Sequence, residues 1–204
     1  MSLKLYTSQA IDYTPASEGT HIARCLRIID LGTQDTEYQG KQMERPQVIL
    51  QFVLLDEEIT NPVVTKRYTA SLHPQSGLRK DLEAWVGKIN LEFSLSSLLN
   101  KPCLVSISHN QKDNRVYANV SGVSSVPKGF DVPELPPQYQ PLIFDLSKPD
   151  HAVFESLPVR MRGDILRSKE VRTNRELYDL LTSPKQSQSF DDENGFFAEA
   201  EIPF

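Results

Sequence analysis

The fold is decided by residues 63–86, VVTKRYTASLHPQSGLRKDLEAWV, where the spacing of apolar residues changes from that of a strand to that of a helix. Residues 63–72 are rich in β-branched and aromatic side chains, which predicts a strand. Ser76 is placed to cap the helix that follows, and Gly87 lies near its end. One face of that helix carries Leu78, Leu82, Trp85 and Val86. The segment therefore predicts a strand followed directly by an amphipathic helix.

Strand patterns lie on both sides of this segment. Upstream, residues 19–30 form a β-rich run and residues 47–55 alternate between two faces, whereas the polar residues 31–46 predict a loop. Downstream, residues 103–109 and 116–121 predict two more strands joined by a polar turn. The order of three strands, a helix and two strands predicts a mainly β fold. We expect a five-stranded OB-fold barrel with its helix between strands 3 and 4.

The C-terminal third has a different character. Six prolines between residues 127 and 149 predict an extended linker. Helical patterns follow around Pro158, and Asn174 is placed to cap a last helix. We expect this helical extension to pack on the barrel or on a second subunit. The predicted division is an OB-fold domain with an N-terminal arm at 1–126, a Pro-rich linker at 127–149, a helical extension at 150–183 and a disordered acidic tail at 184–204.

The composition is that of an ordinary globular protein. The chain has 204 residues, of which 39% are apolar and 24% charged. No stretch approaches the roughly 18 apolar residues of a membrane span, and no apolar core of a secretory signal follows Lys4. These features predict a cytoplasmic protein with no membrane partner.

The charge is unevenly distributed along the chain. The net charge is −5, and residues 184–204 account for −4 of it with five acids and one lysine. The rest of the chain is therefore close to neutral. A near-neutral body with a separate acidic tail is compatible with local basic patches and hence with a nucleic-acid partner.

Nothing in the sequence indicates catalysis, a cofactor or a metal. Cys25 and Cys103 lie in apolar, strand-like runs, which favours buried free thiols over a disulfide. The four histidines are scattered singly, and no P-loop, GxGxxG or HExxH motif is present. The acids at residues 56–58 leave a Mg²⁺-dependent nuclease as an alternative, although a hydrated turn is the expected role. We therefore predict a non-enzymatic protein without a cofactor.

The chain ends in Glu199-Ala200-Glu201-Ile202-Pro203-Phe204. An aromatic ring beside the terminal carboxylate, preceded by acids, is typical of a peptide held in a partner's pocket. This ending resembles the C-terminal tip of bacterial and phage single-stranded DNA-binding proteins, which implies recruitment of replication and repair proteins. The predicted partner-binding residues are Asp191, Asp192, Glu193, Glu199, Glu201, Ile202, Pro203 and Phe204.

The body carries a second resemblance over about residues 15–170. The segments Gly-Thr-His-Ile-Ala-Arg-Cys (19–25), Lys-Arg-Tyr-Thr-Ala-Ser-Leu-His (66–73) and Leu-Arg-Lys-Asp-Leu-Glu-Ala-Trp (78–85) are similar in pattern to a family of phage single-stranded DNA-binding proteins. The resemblance implies a protein of the host bacterial cytoplasm that protects single strands, without strong sequence preference, in replication, recombination and repair. Homo-oligomerisation is left open. The alternative is an accessory adaptor whose barrel binds protein.

Single-strand binding requires a positive groove for phosphates and flat side chains for bases. In an OB barrel that groove crosses strands 2 and 3, between the loop after strand 1 and the loop between strands 4 and 5. Tyr117 is the best stacking candidate because its face-mates are Asn119 and Ser121, whereas Tyr68 is either a stacking ring or a core residue. Arg67 is expected to be exposed and available to a phosphate. The predicted DNA-binding residues are Tyr38, Lys41 and Arg45 in the first loop, Lys66, Arg67 and Tyr68 on strand 3, Lys112, Arg115 and Tyr117 around the last loop, and Arg24 on strand 1.

Overall fold

The computed structural model describes residues 14–183, except for residues 39, 57, 91 and 114 and the side chain of Tyr38. Its strands are β1 (Gly19–Tyr38), β2 (Lys41–Leu54), β3 (Val63–Thr69), β4 (Pro102–Lys112), β5 (Arg115–Ser124) and β6 (Leu142–Phe144). Its α-helices are α1 (Gly77–Val86), α2 (His151–Ser156), α3 (Val159–Leu166), α4 (Lys169–Thr173) and α5 (Arg175–Thr182), with a 3₁₀ turn at Leu95–Leu98. None of the helices described combines the length and apolar character needed to cross a bilayer.

The strands form one sheet in the order β3-β2-β1-β4-β5, with antiparallel neighbours throughout. The short β6 pairs with β1 in parallel. Strand β4 returns to lie beside β1 after the β1-β2-β3 meander, which is the order of a Greek key. The mainly β prediction is confirmed. Over the described residues no ladder joins β3 to β5, so the sheet is not closed, and it has six strands where five were predicted.

The prediction that residues 31–46 form a loop is wrong. Residues 31–38 continue β1 and residues 41–46 begin β2, and the two strands stay paired from Ala23 opposite Leu54 to Tyr38 opposite Lys41. Two irregularities bend β1, one between Cys25 and Arg27 and one in the segment that leads to Gly32. Most of this outer part of the hairpin is polar, and the alternation of apolar residues could not reveal it.

Two hydrophobic cores share β1 and β2. The first lies on one face of the sheet and takes in α1, and there Phe52 and Trp85 pack with ring centroids 5.9 Å apart. The second core lies on the opposite face, where Ile29 and Ile49 meet residues of β6 and of α2–α5. We call α2–α5 the helical layer. The helical extension therefore packs on the sheet, one of the two expected arrangements.

Both cysteines are free and buried in the first core, as predicted. Burial raises the pKa of the Cys25 thiol to about 12, and it raises the pKa of Cys103 in the same direction. Protonated thiols in such a site pack as small apolar groups.

Local signals at the helix ends are confirmed. The Ser76 side chain accepts a hydrogen bond from the Arg79 amide at 3.2 Å, and Asn174 accepts one from the Leu177 amide at 3.1 Å. The predicted linker at 127–149 has no helix, but it contains β6, whose three residues are too few to give a period.

Gly32 of β1 lies against the helical layer, close to Glu170 of α4. Its φ is +66°, a conformation that side chains with a Cβ rarely adopt. A Cβ at this position would lie 2.6 Å from Glu170 Oε2, 2.7 Å from Leu146 Cδ2 and 2.8 Å from Ser168 Cβ. A glycine is therefore required both by the turn of β1 and by the contact with the helical layer.

Gly32→Ala is expected to lower the free energy of unfolding by roughly 2–4 kcal/mol, because backbone strain and overpacking act together. Denaturant unfolding measures the decrease. Gly40→Ala is the matched control, since its φ is +74° but nothing lies within 4 Å of the added Cβ. Equal decreases in the two variants would contradict the close packing at Gly32.

Candidate nucleic-acid interface

A groove of about 860 Å³ runs along β3 toward the start of α1. Its walls are residues 66–71 and 75–78, with Arg45 and Pro46 on β2 and His73 in the connection. No acidic residue is among those that line it. A concave surface with cations and without acids suits an anionic ligand.

The structure brings four of the predicted DNA-binding residues together in this groove: Arg45, Lys66, Arg67 and Tyr68. Arg45 and Ile49 lie four residues apart on β2, so their side chains share a face of the sheet. Arg67 of β3 pairs with Ile49 and lies on that same face. Arg45 and Arg67 therefore lie on the face of the sheet that carries the helical layer.

Lys66 and Tyr68 are held inside the fold by Asp81 of α1. Lys66 Nζ donates to Asp81 Oδ2 at 2.7 Å and to the Ser121 carbonyl of β5 at 2.8 Å. The Tyr68 hydroxyl donates to the same carboxylate oxygen at 2.7 Å, and burial raises the Tyr68 pKa far above its usual value. The Tyr68 residue is only 5% exposed, so the stacking role is corrected to the core alternative. Lys66 links β3 to the facing strand β5, so its hydrogen bonds are made within the fold, and its role in binding phosphate stays a prediction.

Arg67 was predicted to be exposed and free for a phosphate. Its Nη2 instead donates to Asp164 Oδ2 of α3 at 2.8 Å. Its side chain is nevertheless 41% exposed. The pair is exposed on the Arg67 side and largely buried on the Asp164 side, so a phosphate can reach the N–H groups of Arg67 that do not contact Asp164. Arg45 is half-buried, and its Nη2 contacts Met43 Sδ at 3.5 Å.

Arg24 is held within the fold by contacts that the sequence did not predict, and its assignment to DNA stays a prediction. It is 8% exposed, and its guanidinium donates to the carbonyls of Asn100, Val132 and Pro133. It also forms an ion pair with Glu134 at 3.1 Å. Arg24 thereby connects the Pro-rich segment to β1. Its acceptors are backbone oxygens distant in sequence, so this contact could not be predicted from the sequence pattern.

The remaining predicted residues lie at the ends of two hairpins, apart from the groove lining. Lys112 pairs with Arg115 at the tip of the β4–β5 hairpin, and both side chains are exposed. Tyr117 follows on β5 and is 44% exposed. Lys41 is exposed at the start of β2, opposite Tyr38, whose side chain is outside the described part of the structure.

Two features of the site escaped the sequence reasoning. His73 contributes to the groove wall, and Asp164 comes from the helical layer, 97 residues after Arg67. No local period signals a contact over that separation. The predicted partner-binding residues between Asp191 and Phe204 lie outside the described residues. In the described part of the chain, no group of three His, Cys, Asp or Glu side chains could hold a metal ion.

Lys66→Met is expected to lower the free energy of unfolding by about 1–3 kcal/mol, because it leaves the largely buried Asp81 carboxylate without its cation. Thermal or denaturant unfolding measures the change. Arg175→Met is the charge-matched control, since Arg175 pairs with Asp179 on the surface of α5. A decrease no larger than that of the control would contradict a structural role for Lys66.

No protein-family model matches this chain, and no curated protein matches it significantly.

Proposed function

We propose that this chain binds single-stranded DNA without strong sequence preference, and that the groove along β3 is the centre of the interface. The observation that carries the proposal is the groove itself, which is lined by Arg45 and Arg67 and by no acid. Phosphate contacts made by such cations are independent of base identity.

We further propose that the sheet is an OB-fold barrel left open at one seam. Support comes from the Greek-key order of β1–β4, from α1 between β3 and β4, and from the apolar core on one face. The seam lies between β3 and β5, where the Lys66 side chain bonds the Ser121 carbonyl in place of a backbone ladder. The groove then lies on strands 2 and 3, where OB-folds bind oligonucleotides.

Bases need flat surfaces to stack on, just as phosphates need positive charge. Tyr117 presents an exposed ring on the β4–β5 hairpin, beside the exposed cations Lys112 and Arg115. Base–aromatic stacking contributes about 1–3 kcal/mol per base and tolerates every base. The hairpin therefore supplies the second half of a non-specific interface.

The C-terminal residues 191–204 recruit replication and repair proteins in this proposal, within the cytoplasm of a host bacterium. The sequence alone supports this part, through the acids that precede Ile202, Pro203 and Phe204. A phage-encoded protein of DNA replication, recombination and repair fits both resemblances.

A second candidate is an accessory adaptor whose sheet binds protein. It is favoured by the internal contacts of Arg24, Lys66 and Arg67, three of the predicted DNA-binding cations. An adaptor would leave single-stranded DNA unbound even at low salt, so one titration separates the two functions.

Fluorescence titration with oligo-dT is expected to show binding that weakens as salt rises. The double variant Arg45→Ala/Arg67→Ala should bind more weakly. The slope of log K against log salt should become less steep by about 0.7 for each phosphate that the variant no longer neutralises. Lys101→Ala/Lys148→Ala removes the same charge from exposed positions outside the groove lining. The groove is refuted as the interface if both double variants behave alike.

Tyr117→Ala is expected to weaken oligo-dT binding by roughly 1–3 kcal/mol and to leave the salt dependence unchanged, because it removes a stacking ring and no charge. Tyr178→Ala is the control, since Tyr178 on α5 is 38% exposed. An unchanged affinity in the Tyr117 variant would place the stacking surface elsewhere.

A further inference from the structure

Two arginines converge on one carboxylate where the sheet meets the helical layer. Arg67 of β3 donates from Nη2 to Asp164 Oδ2 at 2.8 Å. Arg167, which follows α3, donates from its own Nη2 to the other oxygen, Asp164 Oδ1. The sheet and the helical layer thus each contribute one guanidinium to the same point.

Asp164 is fixed in position by the fold. Its side chain is only 13% exposed, and its carbonyl accepts a hydrogen bond from Gln34 Nε2 at 3.0 Å. Gln34 is itself buried on β1 and also donates to the Leu31 carbonyl at 2.6 Å. The carboxylate therefore holds both arginines at a defined place on the surface.

The two arginines remain accessible to a ligand. Their side chains are 41% exposed at Arg67 and 68% exposed at Arg167. The contact with Asp164 uses one nitrogen of each guanidinium, and a guanidinium has five N–H donors. Two cations sharing one anion leave a local charge of +1. That arrangement suits a phosphate that accepts from both arginines, in the bidentate manner typical of arginine.

We infer that Arg167 is a further phosphate contact of the single-stranded DNA interface, so that a strand leaving the groove at Arg67 continues onto the helical layer. The inference rests on the proposed function and gives the helical layer a part in it. Asp164 then competes with the phosphate for both guanidinium groups and limits the affinity.

A purely structural Arg67–Asp164–Arg167 cluster predicts a different outcome. If the cluster only fastened α3 to the sheet, changing Arg167 or Asp164 would loosen the same contact, and both changes would act in the same direction. If the cluster binds phosphate, changing Arg167 and changing Asp164 should have opposite effects on DNA affinity, since Arg167 attracts the strand and Asp164 repels it.

The test is a salt-series titration of the full chain with oligo-dT. Arg167→Ala is expected to weaken binding roughly 3- to 10-fold and to lower the salt slope by about 0.7. Asp164→Asn should strengthen binding. Arg167→Glu should weaken it more than Arg167→Ala, because it places a negative charge where the phosphate would bind, and the melting temperature of each variant checks that the fold is kept. Arg175→Ala, which disrupts a surface pair within α5, should change nothing.

Each outcome has a distinct meaning. The inference is overturned if Arg167→Ala and Arg167→Glu match Arg175→Ala while Arg45→Ala/Arg67→Ala weakens binding, and the proposed function then stands. It is also overturned if Arg167→Ala and Asp164→Asn both weaken binding and both lower the melting temperature. Absence of oligo-dT binding by the unaltered chain would overturn the proposed function and this inference together.

Discussion

Burial of both faces of β1 is the constraint on which the rest of the structure depends. Ile28 points into the core shared with α1, and Ile29 points into the core shared with the helical layer. The register of such a strand is fixed by side-chain packing on both of its faces. The helical layer is consequently an integral part of the fold, and its position relative to β2 and β3 is set by packing.

The packing of the helical layer and of α1 on the sheet determines which cationic side chains are accessible to a ligand. Near the seam between β3 and β5, Lys66 forms an ion pair with the largely buried Asp81. Arg24 on β1 donates to the backbone carbonyls of Asn100 and Pro133. These cations already have hydrogen-bond partners within the fold. Arg67 is different, because the helical layer supplies Asp164 at the edge of the groove and leaves the guanidinium partly exposed. The groove therefore lies beside the junction of the sheet and the helical layer.

Features that depend on a few consecutive residues could be predicted from the sequence, whereas contacts between distant parts of the chain could not. Ser76 and Asn174 were found as caps because a cap is a property of a few consecutive residues. The pairing of residues 31–46 was missed because a polar hairpin has no apolar alternation. Arg67 was assigned correctly to an exposed face, but its pairing with Asp164 depends on how the helical layer packs, which no local pattern encodes.

The central claim is that single-stranded DNA occupies the groove along β3. Mapping amide chemical shifts during a titration with oligo-dT at low salt tests it most directly, because each residue reports separately. The account predicts that the largest changes fall on residues 66–78, with smaller ones at the β4–β5 hairpin. Saturable binding that leaves residues 66–78 unshifted, or the absence of any shift, would contradict it.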